Sequence, residues 1–126
     1  MIAIVDYGVG NLFSVEKAFL KFSPDVVLTS DAKVIEKADK IVLPGVGAFG
    51  DCMKNFEQSG LKNSVLEAIE QGKPVMGICV GEQIMFEGSE ESPEVKGLGI
   101  FKGMVKKINC SWAKNSAYGL EFYCYR

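Results

Sequence analysis

One cysteine of this chain lies in a sequence context typical of an enzymatic nucleophile. Residues 77–81 read Gly-Ile-Cys-Val-Gly, with Cys79 at the centre of a Gly-x-nucleophile-x-Gly pattern. In that pattern the nucleophile occupies a strained turn between a strand and a helix, and the flanking glycines relieve crowding. The side chain then points out of the carboxyl edge of the sheet, close to the N–H groups of the helix start. We therefore predict that Cys79 is a nucleophile; the alternative is a buried structural cysteine.

A second glycine-rich segment is placed where backbone amides would face a ligand. Residues 44–47 read Pro-Gly-Val-Gly and follow the apolar run 41–43. Backbone N–H groups in such a turn hold either a phosphate or the oxyanion of an acyl-transfer intermediate. No Gly-Lys-Ser/Thr follows, so the segment is not a Walker loop. Many glycine-rich loops only turn the chain, but together with the Cys79 segment the oxyanion interpretation is favoured.

The missing residue types exclude several chemistries. The 126 residues include no histidine, which excludes His-ligated metals, Ser-His-Asp catalysis and Cys-His catalysis within this chain. The four cysteines, at 52, 79, 110 and 124, form no Cys-x-x-Cys pair, so neither a zinc ribbon nor a thioredoxin-type site is expected. Gly8 and Gly10 lack the third glycine of a dinucleotide loop, because Phe13 stands there. We predict no metal and no cofactor.

Composition and charge predict a globular protein of the cytoplasm. The chain has 14 basic and 16 acidic residues, a balance that does not favour nucleic-acid binding. No apolar run approaches the ~18 residues that cross a bilayer, and no basic stretch precedes the first apolar run as in a secretory signal. Without an export signal, the cysteines are expected to be reduced thiols. We expect neither nucleic acid nor a membrane as a partner.

Short apolar runs alternate with segments of helical spacing along most of the chain. Strands are predicted at 2–5, 26–29, 41–43 and 74–78. Helices are predicted from the N-cap Asn11 to Pro24, from a cap at Ser30 or Asp31 to about Lys37, over 52–71 with a break at Gly60, and over 79–86. An acidic loop is predicted at 87–94, followed by hairpin-like strands at 98–101 and 104–108 around Gly103. The alternation predicts an α/β fold with a doubly wound, mostly parallel sheet and helices on both faces.

Four segments resemble a known family. Residues 77–83 (Gly-Ile-Cys-Val-Gly-Glu-Gln) resemble the nucleophile segment of class I, triad-type glutamine amidotransferases, and residues 44–47 resemble their oxyanion strand. Residues 6–12 (Asp-Tyr-Gly-Val-Gly-Asn-Leu), together with 97–100 (Gly-Leu-Gly-Ile) and Gly103, are similar to one branch, the glutaminase subunits of imidazole glycerol phosphate synthases. The resemblance implies a flavodoxin-like amidotransferase domain over 1–108. It leaves 109–126 as an unassigned, aromatic-rich tail.

The resemblance also implies an activity, a partner and roles for individual residues. The protein would hydrolyse glutamine to glutamate, and the ammonia would pass to a cyclase subunit of (β/α)8 fold in histidine biosynthesis. Cys79 would attack the glutamine carboxamide. The other roles would fall to the oxyanion residues Val46, Gly47 and Val80, to the glutamine-binding residues Gly45, Gln83 and Glu91, and to Asn11 at the cyclase interface. Glu91 belongs to an acidic run whose alternative explanation is a solvated loop.

One feature of the family is missing from the chain. The family takes its catalytic His and Glu from a His-Pro-Glu segment that would lie well past residue 108, and this chain has no histidine. We therefore expect a domain truncated at its C-terminus and a chain that is inactive as written. Two alternatives remain open. One is a non-catalytic binding module that binds glutamine or the partner, and the other is a paralogous amidotransferase that supplies ammonia to another synthase.

Overall fold

The computed structural model describes residues 1–107 and the backbone of a two-residue strand at Tyr123–Cys124. The rest of the predicted tail at 109–126 lies outside the described residues, as does Ile108, the last residue of the second hairpin strand. The strands are β1 (Ile2–Val5), β2 (Val26–Thr29), β3 (Lys40–Gly45), β4 (Val75–Cys79), β5 (Phe86–Ser89), β6 (Phe101–Lys107) and β7 (Tyr123–Cys124). The helices are α1 (Leu12–Leu20), α2 (Ala32–Lys37), α3 (Phe49–Ser59), α4 (Lys62–Glu70) and α5 (Val80–Gln83).

The first four strands form one parallel sheet in the order β2-β1-β3-β4. The chain moves from β1 in one direction to β2 and then in the other direction to β3 and β4. Right-handed crossovers therefore place α1 on one face and the helices α2, α3 and α4 on the other. This arrangement confirms the predicted doubly wound α/β fold. Ligands bind such sheets at the carboxyl ends of the strands, near the point where the strand order reverses.

Local signals in the sequence explain where the helices begin and end. Asn11 is the N-cap of α1, and its side-chain oxygen accepts a hydrogen bond from the Ser14 amide at 3.4 Å. Asp31 caps α2 in the same way, through the Lys33 amide at 2.9 Å. Gly60 has φ +74°, a left-handed conformation that separates α3 from α4. All three boundaries agree with the prediction.

The hydrophobic core lies between the parallel sheet and the face formed by α2, α3 and α4. It joins strand residues to aromatic and aliphatic side chains of these helices, and its largest fully buried members include Phe49, Phe56, Ile35, Ile41, Leu43 and Met53. Within residues 1–107 and the strand β7, no helix has the length and apolar character needed to cross a membrane.

The predicted helix over 79–86 is wrong in its second half. Helix α5 covers only Val80–Gln83, and the chain enters β5 at Phe86. The chain tightens at the end of α5, where the Met85 amide donates to the Glu82 carbonyl, three residues back, at 3.0 Å. Ile84 O accepts from the Leu98 amide at 2.8 Å, and Met85 O accepts from the Ile100 amide at 2.9 Å. A distant segment therefore supplies the hydrogen-bond partners of the carbonyls that follow α5.

The acidic loop and the hairpin are also corrected by the structure. The first three residues of the predicted 87–94 loop belong to strand β5, which pairs in parallel with β6. The two predicted hairpin strands are replaced by the single strand β6, which passes through Gly103 without turning back. Gly103 has φ +110°, and its amide donates a hydrogen bond to the Glu87 carboxylate at 2.7 Å. The glycine therefore produces an irregularity within a strand, where the sequence pattern indicated a turn.

Candidate functional site

Cys79 is the last residue of β4, and helix α5 begins at the next residue. Its backbone has φ 57° and ψ −124°, and it is the one non-glycine residue with positive φ among residues 1–107. The side chain is exposed, so the alternative of a buried structural cysteine is wrong. The predicted geometry of strand, strained turn and helix is therefore present at Cys79.

Three glycines allow the chain to close tightly around this turn. A Cβ atom on Gly81 would lie 1.9 Å from the Leu43 carbonyl oxygen, and one on Gly77 would lie 2.4 Å from the Glu82 Cα. A Cβ on Gly45 would lie 2.4 Å from the Gly81 amide nitrogen. Every such approach is shorter than any side chain tolerates. The glycines at these positions therefore have a steric reason, and Gly45, predicted to bind glutamine, also packs against the turn.

The Pro44–Gly47 segment leaves the sheet directly beside Cys79. Gly45 is the register partner of Cys79 across the β3–β4 pair. Val46 and Gly47 follow at once, and both are exposed, Gly47 with φ +85°. The structure therefore brings the predicted oxyanion segment and the predicted nucleophile to neighbouring positions on one sheet edge.

Two further predicted residues lie in α5. Val80 is its first residue, so its backbone N–H has no partner within the helix and follows the sulfur-bearing residue directly. Gln83 is the last residue of the same helical turn and is partly exposed. Both residues therefore belong to the turn that carries Cys79.

Glu91 reaches the same region from a distant part of the chain. One of its carboxylate oxygens accepts a hydrogen bond from the Phe49 amide, the first residue of α3, at 2.9 Å. The adjacent Ser92 hydroxyl accepts from the Gly50 amide at 3.2 Å. The N-cap position of α3 is Ala48, which has no side-chain oxygen to offer. Glu91 and Ser92 therefore cap α3, a structural role that the sequence pattern did not indicate.

Asn11 lies on the loop that follows β1, which runs beside the Pro44–Gly47 segment. A Cβ atom on the neighbouring Gly10 would lie 3.4 Å from the Pro44 Cβ, an ordinary close contact between the two loops. The Asn11 side chain is exposed and caps α1. Its predicted role at a partner interface stays a prediction.

Two buried side chains donate hydrogen bonds to the Pro44–Gly47 segment from the core side. The Tyr7 hydroxyl donates a hydrogen bond to the Pro44 carbonyl, and the Cys52 thiol donates one to the Val46 carbonyl at 3.2 Å. The Tyr7 ring packs edge-on against Phe56, with 5.1 Å between ring centroids. Burial raises the pKa of Tyr7. Burial also raises the pKa of Cys52, and this effect is larger than the lowering by its hydrogen bonds with Tyr7 and the Val46 carbonyl. Sequence reasoning did not single out either residue for this position.

Residues 1–107 contain no cluster of three or more Cys, Asp or Glu side chains that would hold a metal ion. Both cysteines described in this range, Cys52 and Cys79, are free thiols. At the sheet edge the exposed Cys79 thiol lies in register with Gly45 and directly precedes the first amide of α5. Such a set fits nucleophilic attack on a carbonyl carbon.

Comparison with known proteins places this geometry in a family. The model of the CobB/CobQ-like glutamine amidotransferase domain matches residues 2–109. An imidazole glycerol phosphate synthase subunit HisH of Geobacter metallireducens is 51% identical over 107 residues, which are 85% of this chain and 51% of that protein. The subunit HisH of Pyrococcus furiosus is 53% identical over 107 residues, 85% of this chain and 52% of its own length. The chain thus spans about half the length of the curated relatives it matches.

A solved structure agrees at the level of the fold. A crystal structure of a glutamine amidotransferase superposes with a TM-score of 0.71 at 18% identity, covering 85% of this chain and 57% of the other. The match of a family model to most of the chain, together with the Cys79 turn and its glycines, leads to one conclusion: the chain belongs to the glutamine amidotransferase domain family.

Proposed function

We propose that this chain carries the nucleophile and the oxyanion site of a glutaminase that supplies ammonia to a cyclase subunit in histidine biosynthesis. The observation that carries the proposal is the exposed Cys79 on a strained turn, in register with Gly45 and beside the Val46–Gly47 amides. The relatives named as imidazole glycerol phosphate synthase subunits, at about half identity, support the choice of pathway. The cyclase would have a (β/α)8 fold, and Asn11 would lie toward it.

The geometry supports a defined first step. The Cys79 sulfur attacks the carboxamide carbon of glutamine, and the carbonyl oxygen takes up the negative charge. The Val80 amide and the amides of Val46 and Gly47 are the candidates to stabilise this oxyanion. Gln83 would contact the substrate, and Glu91 would face its ammonium group by charge. The C–N bond breaks as the amide nitrogen takes up the proton given up by the Cys79 thiol, so that ammonia leaves and a thioester remains on Cys79.

The second step, hydrolysis of the thioester, needs a general acid–base group, and these 126 residues include no histidine for that role. Water must be activated to hydrolyse the thioester, and the same kind of group would assist protonation of the amide nitrogen in the first step. A positioned acid–base group typically contributes ~10²–10⁴ in rate. We therefore expect the chain to form the covalent intermediate slowly and to turn over glutamine near background.

A second candidate function follows from the same absence. The lack of histidine favours a module that binds glutamine or its partner without hydrolysing glutamine. The two candidates differ in one respect, which is whether Cys79 reacts with a carbonyl compound that has the shape of glutamine.

The test is covalent labelling with a chloroketone analogue of glutamine, followed by peptide mass spectrometry. We expect Cys79 to be the labelled residue, L-glutamine to protect it and D-glutamine to leave the rate unchanged. The Cys79→Ser variant serves as the negative control, and the buried Cys52 is an internal comparison. Labelling at other cysteines alone, or labelling that L-glutamine does not slow, would argue against the nucleophile assignment.

Glutamate release is measured in parallel, with and without a cyclase subunit. Release near the buffer background, combined with glutamine-protected labelling, agrees with a nucleophile that lacks its acid–base partner. Robust release by the purified chain would show that another group activates the water. Glutamine binding without any labelling would favour the non-catalytic module.

A further inference from the structure

The carbonyl of Val46 is held on the inner side of the Pro44–Gly47 segment. Its hydrogen-bond donor is the thiol of Cys52, which lies in the first turn of α3 and is fully buried. The Tyr7 hydroxyl donates a hydrogen bond to the Pro44 carbonyl on the same segment. Two neighbouring buried side chains therefore donate to two carbonyls of one short segment.

Because the peptide bond is planar, the hydrogen bond to the Val46 carbonyl also fixes the direction of the Gly47 amide. The Val46 carbonyl and the Gly47 amide belong to the same planar trans peptide, so their C=O and N–H bonds point in opposite directions. When the carbonyl points inward to the Cys52 thiol, the Gly47 N–H must point outward. Gly47 is exposed and has φ +85°, so few contacts of its own restrain this peptide. The buried thiol is then the contact that sets which way the amide faces.

We propose that Cys52, assisted by Tyr7, is a positioning residue that aims the Gly47 amide of the oxyanion segment outward at the edge that carries Cys79. This inference rests on the proposed glutaminase function and adds the device that orients one of its oxyanion donors. Neither side chain touches the substrate. Each acts through the backbone of residues 44–47.

The protonation of the two side chains agrees with a donor role. Burial is the main reason that the pKa of the Cys52 thiol is raised, and nearby Asp51 and Cys79 raise it further. Burial likewise raises the pKa of the Tyr7 hydroxyl. Both groups therefore keep the proton that their hydrogen bonds require at neutral pH.

The test compares Cys52→Ala, which removes the donor, with Cys52→Ser, which retains an O–H donor at the same position. For each variant of the 126-residue chain we measure the rate of Cys79 modification by the glutamine chloroketone and by iodoacetamide. Iodoacetamide reacts by displacement of iodide at its CH2 group, so its reaction needs no oxyanion site. Loss of one oxyanion donor costs ~10²–10³ in rate, so a misdirected donor should lower the chloroketone rate by ~10-fold or more. We expect this loss in Cys52→Ala, an unchanged iodoacetamide rate, and recovery in Cys52→Ser.

A matched control lies at the other end of the same helix. The Ser59 hydroxyl donates to the Phe56 carbonyl at 2.7 Å, far along α3 from the 44–47 segment. Ser59→Ala therefore removes a comparable side-chain donor from α3 and should leave the chloroketone rate within about twofold of the parent, since surface substitutions usually change little. An equal loss in Ser59→Ala and Cys52→Ala would reduce Cys52 to a general stabiliser of α3 and overturn the proposal.

A second measurement does not depend on reactivity. The 13C resonance of the Val46 carbonyl should shift in Cys52→Ala and return in Cys52→Ser, whereas that of Pro44 should shift in Tyr7→Phe. An unchanged Val46 resonance in Cys52→Ala would overturn the proposal even if labelling fell. If the parent protein itself shows no glutamine-protected labelling of Cys79, the glutaminase function fails, and the carbonyl resonance still decides whether Cys52 orients the peptide.

Discussion

Cys79 combines an exposed sulfur with a backbone conformation that disfavours any side chain. Its φ of 57° and ψ of −124° lie in a region that glycine occupies far more readily. Residues held in such regions store about 1–3 kcal/mol of strain, and they persist only where the surroundings determine their conformation. Here the surroundings are the close approaches of Gly77 and Gly81 to neighbouring backbone. A side chain at this position is therefore retained against a cost in stability.

This strain predicts that Cys79→Gly is more stable than Cys79→Ala. Both variants lack the sulfur, but only alanine keeps the Cβ atom that is strained at positive φ. The greater freedom of glycine in the unfolded chain offsets ~0.5–1 kcal/mol of the gain. We expect a net advantage of about 1 kcal/mol for the glycine variant, measured as the free energy of unfolding in urea. Equal free energies for the two variants would contradict a strained turn.

At the scale of elements, the start of α3 depends on the segment that follows β5. Glu91 and Ser92 accept hydrogen bonds from the first two amides of this helix, whose own N-cap residue has no capping side chain. The carboxylate also lies at the positive end of the helix dipole. This contact fixes the start of α3 next to the 44–47 segment. It also joins the parallel sheet to the strand pair β5–β6.

Glu91→Ala should therefore destabilise the protein by about 1 kcal/mol, the usual cost of a lost helix cap. Glu91→Gln keeps an acceptor oxygen and loses the charge, so its effect should be smaller. The measurement is the unfolding free energy, together with hydrogen exchange of the Phe49 amide, which should become faster in the alanine variant. The control is Glu94→Ala in the same exposed segment, expected to stay within about 0.5 kcal/mol of the parent. A loss in Glu94→Ala as large as that in Glu91→Ala would refute the capping role.

At the scale of the whole molecule, the N-terminal ammonium group forms ion pairs that connect the starts of three strands at the amino end of the parallel sheet. The Met1 ammonium, which precedes β1, binds the Asp25 carboxylate at 2.8 Å and also pairs with Asp39. These carboxylates precede β2 and β3. The hydrogen bond to Asp25, followed by that to Asp39, raises the pKa of the Met1 amino group, and the ammonium in turn lowers the pKa of Asp39.

The signs of these shifts predict a window of pH. The raised pKa of the amino group gives stability that is present below its ordinary value of about 8 and is lost as the pH rises through the folded-state value. The lowered pKa of Asp39 gives stability that is present above about 4 and is lost as the pH falls through its folded-state value. An N-acetylated chain should therefore unfold at lower urea than the free chain near pH 6–7, and the two midpoints should converge at both extremes. A difference that stays constant with pH would contradict this assignment.

The comparison of sequence and structure separates local from distant causes. The strand before Cys79, the turn at Cys79 and the caps Asn11 and Asp31 were all predicted from nearby residues, because glycine freedom and capping act within a few positions. The helix over 79–86 failed at Ile84, where an amide from the 97–100 segment takes the carbonyl. No short-range pattern contains that information. Element type is therefore predictable only up to the point where another segment competes for the backbone.

By itself, the sequence determined the α/β fold class and the strand–turn–helix at Cys79, since alternating apolar runs and a Gly-x-Cys-x-Gly pattern carry their physical cause within a few residues. Only the tertiary structure decided that Cys52 and Tyr7 donate hydrogen bonds to the Pro44–Gly47 segment. It alone also showed that Glu91 caps a helix 42 residues away. These contacts join residues distant in the chain, and they form only when the strands have paired and α3 has packed against the sheet.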